Sequence, residues 1–345
     1  MFPKLQRDFA REGATGMFLP ETYQAALSLM VLSMLCWGSW ANTLKLCPRF
    51  RFQLFYWDYA LGLAAGAVAW GLTAGSLGHA GAPLLAAVER TPVSTMLWAA
   101  CGGVVFNVAN LLLVAAIDVA GLAVAFPVGI GLALVVGAVS SYLVSPAGNP
   151  LLLFGGVALV AVAIVTDAAA YRKREPSAKA TTTRGIVLSL VAGLLMGTFY
   201  PLVAHAMTAK PVSGPYAISI FFAVGVLLST IPANLLLMAK PLDGKPAVDG
   251  KDYWSAPLSW HLAGALGGAI WCTGAVANFV ASGAHLVGPA VSYSIGQGAT
   301  MVSACWGVFV WHEFAGAPRV ARLLLVMMFI FFALGLGAVA LAPLY

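Results

Sequence analysis

Charge is what this sequence lacks. Of its 345 residues, 9% are charged and 61% are hydrophobic, against roughly 25% and 45–50% in a soluble domain. So few charges cannot cover a water-soluble fold of this length, and the mean hydropathy of +0.91 agrees. Lipid must be the solvent for most of the surface. Enzyme motifs are missing too. There is no Gly-x-Gly-x-x-Gly with an acidic residue at the right distance, no Gly-Lys-Ser/Thr phosphate loop and no Gly-x-Ser-x-Gly. His312-Glu313 is followed by Phe314-Ala315-Gly316, so no His-Glu-x-x-His forms. ATP-driven transport is therefore not encoded on this chain, and no catalytic residue, cofactor or metal is expected. Cys36, Cys47, Cys101, Cys272 and Cys305 make no Cys-x-x-Cys pair. Four of them lie in apolar runs, as packing residues do, which argues against a disulfide framework or a zinc site. Residues 1–22 hold Lys4, Arg7, Asp8, Arg11, Glu12 and Glu21 with no apolar core, unlike a cleavable signal.

What is present is a series of apolar runs. A spanning helix needs about 20 mostly apolar residues. Ten such runs lie near 23–44, 53–74, 93–116, 120–143, 150–170, 185–206, 215–238, 258–281, 286–310 and 320–342. Most breaks carry turn chemistry, as in Cys47-Pro48 and Gly148-Asn149-Pro150. The expected fold is an all-α membrane protein of ten transmembrane helices. The net charge of +6 does not point to nucleic acid, because the Lys and Arg residues fall between the runs. There they report topology and contact with anionic headgroups.

The polar stretch from Tyr171 to Arg184 divides the runs into five and five. The chain thus reads as an N-terminal segment (1–22), a first five-helix repeat (23–170), a basic cytoplasmic linker (171–184) and a second repeat (185–345). Aligning Gly38 with Gly197 matches Leu35-Cys36-Trp37-Gly38-Ser39-Trp40 to Leu194-Leu195-Met196-Gly197-Thr198-Phe199. Aligning Gly102-Gly103 with Gly267-Gly268 puts Phe106 on Trp271. Small residues recur every four positions at Ala125, Gly129, Ala133, Gly137 and Ser141, and again at Ser292, Gly296, Thr300 and Ala304. Such stripes let helices approach closely in lipid, so the fourth and ninth runs are expected to pack together. An odd number of spans per half turns the second half upside down, a construction of secondary transporters. Five Lys and Arg fall on the side of the N-terminus and thirteen on the other. The positive-inside rule then puts both termini outside the cytoplasm of a cell (inner) membrane, although the basic N-terminus itself pulls the other way.

Ionisable residues inside spans are functional candidates by default. Asp58 sits about two turns into the second run. Burial disfavours a charged carboxylate, and Asp58 is the candidate for proton coupling unless Lys45, Arg49 or Arg51 pairs with it. Asp118, Asp167 and Glu313 lie near run ends and read as interfacial or capping carboxylates; His205, His261, His285 and His312 read as interfacial. No Lys or Arg lies centrally in a run, which disfavours an anionic substrate. Neutral polar and aromatic residues do occur at mid-depth: Trp37, Asn42, Asn107, Asn110, Tyr200, Trp271, Asn278, Tyr293 and Gln297. Carboxamides donate and accept, and aromatic faces offer flat platforms. These nine are the expected substrate-binding residues, in a mid-membrane cavity, with Gln297 and Asn107 foremost. The plainer reading is hydrogen bonding between helices.

Three segments carry a family likeness. Leu35-Cys36-Trp37-Gly38-Ser39-Trp40 resembles the first-helix motif of the ureide permease and glucose/ribose porter branch of the drug/metabolite transporter superfamily, which includes the rhamnose–proton symporter. Cys305-Trp306-Gly307-Val308-Phe309-Val310-Trp311-His312-Glu313-Phe314 is similar to that branch's ninth-helix ending, and Phe106-Asn107-Val108-Ala109-Asn110 to its third helix. The resemblance implies a secondary active transporter importing a small neutral polar metabolite, a sugar or a ureide/nucleobase-like solute, often with protons. Its partners would be that solute, protons and the bilayer, in a monomer or homodimer. The 14-residue central loop is shorter than in plant ureide permeases, which suggests a bacterial member. Export of metabolites or drugs is the alternative within the same class. An intramembrane enzyme or scaffold is the alternative outside it, and would need a constellation or domain that the sequence does not show.

Overall fold

The computed structural model describes residues 16–174, 183–242 and 244–345, with side chains omitted at 122–124 and 126. Most of the N-terminal segment and of the basic linker lie outside the described residues. The described chain is helical, apart from two isolated bridges that tie Gly16 and Met17 to Gly78 and Ala80. The principal helices are α1 (Tyr23–Ser39), α2 (Phe52–Leu72), α3 (Val93–Ala120), α4 (Leu122–Val144), α5 (Pro150–Arg174), α6 (Thr183–Thr208), α7 (Pro215–Ala239), α8 (Leu258–Gly283), α9 in two pieces (Pro289–Gly296 and Ala299–Cys305) and α10 (Arg319–Leu341).

Each helix starts and stops for a local reason. The Thr22 hydroxyl caps α1 by accepting from the Ala25 N–H at 3.2 Å. Gly121, at φ 78°, is the single residue between α3 and α4, and its positive φ lets the chain leave one helix and enter the next at once. Proline opens α7 and α9 at their first helical position, where no N–H is needed.

Among the described residues, eight helices are long and apolar enough to cross a bilayer, not ten. The chain is a multi-pass membrane protein on that ground. The two shortfalls have physical causes. In α2, Gln53, Tyr56, Trp57, Asp58 and Tyr59 dilute the apolar content. The ninth run is interrupted at Gln297-Gly298 and ends in a π turn, Trp306–Val310. Glycines at 296 and 298 weaken the helix there, and the space they leave is filled by Trp37 and Asn278 on one side and by Met34 and Leu336 on the other.

The packing is paired. α2 lies on α8 and α3 on α7, with α2 also touching α7; α1 lies on α8 and α6 on α3; α4 lies on α6, α9 on α1, and α5 on α10. Glycines set the closest crossings, because any Cβ there would strike backbone. Gly268 meets the Tyr59 carbonyl and Gly62 the Ala265 carbonyl between α2 and α8. Gly103 meets the Phe222 carbonyl and Gly225 the Ala100 carbonyl between α3 and α7. Likewise Gly38 sits under Ala299 and Val302 of α9, and Gly197 under Ala133 and Val136 of α4.

The small-residue stripes are buried, but their partners differ from expectation. On α4, Gly129 faces Gly193 of α6, and Gly137 faces the Tyr293 ring of α9. On α9, Ser292 and Gly296 face Asn278 of α8 and Trp37 of α1. A tyrosine ring therefore fills the α4–α9 contact that two backbones were expected to share.

Candidate functional site

A stack of aromatic rings occupies the middle of the molecule. Trp271 stacks on Phe106 at 4.0 Å between centroids, on Trp37 at 5.8 Å and on Phe222 at 5.8 Å. α1, α3, α7 and α8 each contribute one ring, placed there by the glycine crossings described above.

A polar cluster lies on each side of the stack. In the first, α2, α3 and α7 meet. The Tyr56 hydroxyl donates to Asn107 Oδ1 at 2.8 Å and accepts from Asn110 Nδ2 at 3.2 Å. Asn107 Nδ2 donates to Ser229 at 2.9 Å, and Thr230 donates to Asn107 Oδ1 at 3.2 Å. In the second, α1, α6, α8 and α9 meet. The Tyr200 hydroxyl donates to Asn278 Oδ1 at 2.5 Å, and Asn278 Nδ2 donates to Ser33 and to the Ser292 carbonyl, each at 3.0 Å. The Tyr293 hydroxyl donates to the Ala133 carbonyl at 3.1 Å.

Trp37 Nε1, in the stack, and the hydroxyl of Tyr59, whose ring meets Trp40, are buried donors that make no hydrogen bond. Each costs desolvation energy with nothing in return, on the order of 1–3 kcal/mol.

The nine expected residues are thus partly gathered and partly scattered. Asn107 and Asn110 belong to one cluster, and Tyr200 and Asn278 to the other; Trp37 and Trp271 form the stack between them. Tyr293 is turned toward α4. Gln297 caps the first piece of α9 and is 8% exposed. Asn42 departs from its expected mid-depth place. It lies on a 3₁₀ segment after α1 and accepts from the partly exposed Trp311 at 2.6 Å, near the end of the molecule opposite the N-terminus. Nor do these residues enclose the open space described here. None of the nine lines the cavity of about 410 Å³ at the N-terminal side of the bundle.

Asp58 is 6% exposed, but Lys45, Arg49 and Arg51 are not its partners. The Tyr253 hydroxyl donates to Asp58 Oδ1 at 2.6 Å, and His261 Nδ1 lies 2.8 Å from Oδ2. His261 comes from α8 and is more than interfacial: Gly264, one turn on, lets α8 press against the Asp58 side chain. Burial, followed by the hydrogen bond to Asp58 and its charge, pushes the Tyr253 phenol up, so it remains a donor. Sequence spacing gave no sign of either partner, since the contact spans about 200 residues.

Two other carboxylates also differ from expectation. Asp167 is 6% exposed, as buried as Asp58, and its Oδ1 has no hydrogen-bond partner. Glu313 is the hub of a network: Lys45 at 2.8 Å, Tyr171 at 2.9 Å and Arg174 at 3.4 Å. Burial raises Glu313, but the hydrogen bonds from Lys45 and Tyr171 and the charges of Lys45 and Arg174 outweigh it and hold it below its ordinary value.

Comparison with known proteins agrees with this architecture. The chain is 22% identical to Ureide permease 1 of Arabidopsis thaliana, covering 92% of this chain and 96% of that one. It is 24% identical to Ureide permease 2 of the same plant, with the same coverage. One solved crystal structure superposes with a TM-score of 0.62 at 14% identity, over 90% of this chain and 96% of its own, which shows a shared fold. Residues 60–342 match the sugar transport protein family. With its apolar helices, the chain is a membrane transporter of small metabolites, not an enzyme, and it belongs to the sugar transport protein family.

Proposed function

We propose that this protein is a secondary active transporter that imports a small neutral polar metabolite, a sugar or a ureide/nucleobase-like solute, by proton symport. One observation carries the reading. The unpaired donor Trp37 Nε1 belongs to an aromatic stack flanked by carboxamides and hydroxyls, a second unpaired donor, Tyr59 Oη, is carried on a ring that meets Trp40, and no Lys or Arg lies centrally in a span. A planar solute with acceptor oxygens would stack on the rings and satisfy those donors. The relatives are named ureide permeases, which favours the ureide side of the choice. Asn107 bonds Tyr56, Ser229 and Thr230, so its first role is to join α2, α3 and α7. Gln297, at the break in α9, makes no side-chain hydrogen bond among those described and stays the foremost substrate ligand.

Ten spans in two inverted five-helix halves are part of this proposal. At 21 residues, α2 is about 31 Å long at 1.5 Å per residue, enough to cross the hydrocarbon core. The pairs α1–α8 and α6–α3, and α2–α8 and α7–α3, exchange when five is added to each number, counting cyclically. The glycine crossings exchange with them. The polar clusters do not: by the same registers Asn278 falls on Leu113, and Tyr56 on Ser219, whose hydroxyl donates to the Pro215 carbonyl of its own helix. Such a scaffold rocks symmetrically around an asymmetric site. The charge distribution favours both termini outside. Asp58, facing His261, is the proposed proton carrier.

The test is uptake of labelled allantoin, uracil and glucose into proteoliposomes, with and without an inward proton gradient. One class should accumulate only with the gradient. In Gln297→Leu, uptake and ligand stabilisation should both fall at least tenfold; survival of both makes Gln297 structural and defeats its assignment.

A further inference from the structure

Tyr253, which donates to Asp58, sits on a segment with few ties to the rest of the protein. The Val248 N–H still reaches α7, donating to the Met238 carbonyl at 2.8 Å. From Asp249 to Ala256 the backbone bonds among the described residues are all local: Asp252 donates to Asp249, Tyr253 to Gly250, Ser255 to Lys251 and Ala256 to Tyr253. The helix within it, Lys251–Trp254, is four residues long, far short of a length that stands alone in water. Tyr253 and Ala256 pack against the core.

Trp254 does the opposite. It is 84% exposed, and its ring contact is Tyr253, edge-on at 5.2 Å. An indole facing water leaves a large apolar surface unburied. The position fits another solvent. α8, which is long and apolar enough to span, begins four residues later and carries a row of exposed leucines: Leu258 at 71%, Leu262 at 61% and Leu266 at 51%. His261, one turn into α8, and Tyr253 hold opposite oxygens of Asp58, so the segment lies level with the start of that span. That level is the boundary of membrane and water, where tryptophan collects because its ring is apolar and its N–H polar.

We propose that Trp254 docks in the interfacial layer of the bilayer and, through that anchor, holds the Tyr253 phenol on Asp58. The partner is the lipid surface, and Trp254 is a positioning residue for the Asp58–His261 pair. The consequence for transport rests on the proton reading above. Without the anchor, only Tyr253 and Ala256 restrain a locally bonded segment against its backbone freedom. The phenol then spends less time on the carboxylate, and a carboxylate that loses a donor takes up a proton more readily. The titratable groups that face Asp58 among the described residues are Tyr253, His261 of α8 and Cys47 of the α1–α2 connection.

The experiment uses the full chain in phosphatidylcholine nanodiscs without solute. The protein is labelled with fluorotryptophan, and the fluorine resonance missing from Trp254→Tyr belongs to Trp254. A lipid with a nitroxide near its headgroup should broaden that resonance at least about threefold more than a water-soluble gadolinium chelate does. The His261 ring signal, assigned by its loss in His261→Gln, reports the pair. In Trp254→Ala its titration midpoint should move to higher pH by at most about one unit, no further than in Tyr253→Phe, and no further when the two are combined. Trp254→Tyr, which also suits the interface, should restore the wild-type midpoint. A merely structural tryptophan would lower the unfolding temperature and leave the titration in place. Broadening by the chelate alone, an unmoved midpoint in Trp254→Ala, additive shifts in the double variant, or no rescue by Trp254→Tyr each overturns the anchor. The broadening is read on the wild-type protein, so it decides even where Trp254→Ala folds poorly. Solute accumulation that ignores Asp58→Asn would defeat the proton reading and leave the anchor standing.

Discussion

Asp58 and Glu313 sit toward the same side of the bundle, opposite the N-terminus, and each ties a helix to a connecting segment. Their surroundings differ in kind. Glu313 lies between two fixed cations, Lys45 and Arg174, with Tyr171 donating a third bond. Asp58 faces a phenol and an imidazole, with the Cys47 thiol near enough to feel its charge. A carboxylate between permanent cations keeps its charge and its partners, so the Glu313 network acts as a clamp. It joins the end of α1 and the end of α5 to the α9–α10 connection. Among the described residues the groups bonded to Asp58 are a phenol and an imidazole and not a Lys or Arg, so no fixed cation holds the carboxylate. A clamp and a switch thus lie at one end of the bundle, and replacing either carboxylate should separate the two roles.

The largest effect is expected at the switch. Asp58→Asn should reduce proton-driven accumulation in proteoliposomes by more than tenfold, while exchange at equal concentrations of solute persists. Asp167→Asn is the control. Asp167 is equally buried but lies on α5, away from the aromatic stack, and its replacement should leave accumulation within about twofold, since it removes no bond to the stack or to Asp58. Loss of exchange together with accumulation in Asp58→Asn would make Asp58 an anchor. Loss of accumulation in Asp167→Asn would move the coupling site to α5.

The clamp should show itself in stability. Glu313→Gln leaves Lys45 and Arg174 without their carboxylate. The expected cost is about 1–2 kcal/mol, because the hydrogen bonds are charge-assisted but the site is partly solvated. It would be read as a lower unfolding midpoint of the purified protein, and transport should keep its pH dependence. A variant as stable as the wild type would mean that the network holds nothing shut.

A smaller effect follows from titration. The folded protein holds Glu313 below its ordinary value, so the ionised form is the one that stabilises. That contribution is complete above the unfolded value, about 4.3, and is lost as pH falls through the lower folded value. The midpoint of the wild type should therefore decline below about pH 4.3, and Glu313→Gln should flatten that part of the decline. Parallel acid limbs in the two proteins would place the titrating group elsewhere.

How far the sequence told of this depended on the range of the signal. Apolar runs report local solvent, so helix positions were legible to within a few residues. The glycines at 38, 197, 103 and 268 were legible as matched positions of two halves, but the close crossings they permit were not, because the partner backbones are far away in sequence. The interruption of α9 was not, since Gln297-Gly298 reads as one more polar pair within an apolar run. Partners across helices were legible least. Asn107, Asn110, Tyr200 and Asn278 stood out as costly groups in lipid, but no spacing links Tyr56 to Asn107, or Asp58 to His261 and Tyr253. Tyr253 lies in a loop whose composition says only that it is solvated. Asn42 misled because α1 tightens to a 3₁₀ turn at Trp40 and carries it away from the core.

The smallest expected effect separates the two ligands of the switch. Tyr253 comes from a short segment, Lys251–Trp254, between α7 and α8, and its hydroxyl holds Asp58 Oδ1 at 2.6 Å. His261 holds the other oxygen from within α8. If the proton is shared by Asp58 and His261, Tyr253 positions the carboxylate without carrying charge. Tyr253→Phe keeps the ring against His261, which it meets edge-on at 4.6 Å, and removes one donor. A single such bond is worth about 0.5–1.5 kcal/mol, so the half-maximal pH of uptake should move by at most about one unit. The direction is set by which form the phenol favours. It donates to the ionised carboxylate, so its loss makes protonation easier and moves the midpoint to higher pH. Maximal uptake should stay within about threefold of wild type, since the phenol touches neither the stack nor the polar clusters. A midpoint displaced to lower pH would mean that the phenol holds the protonated acid. Abolished uptake with intact stability would give Tyr253 a part in the transport step itself.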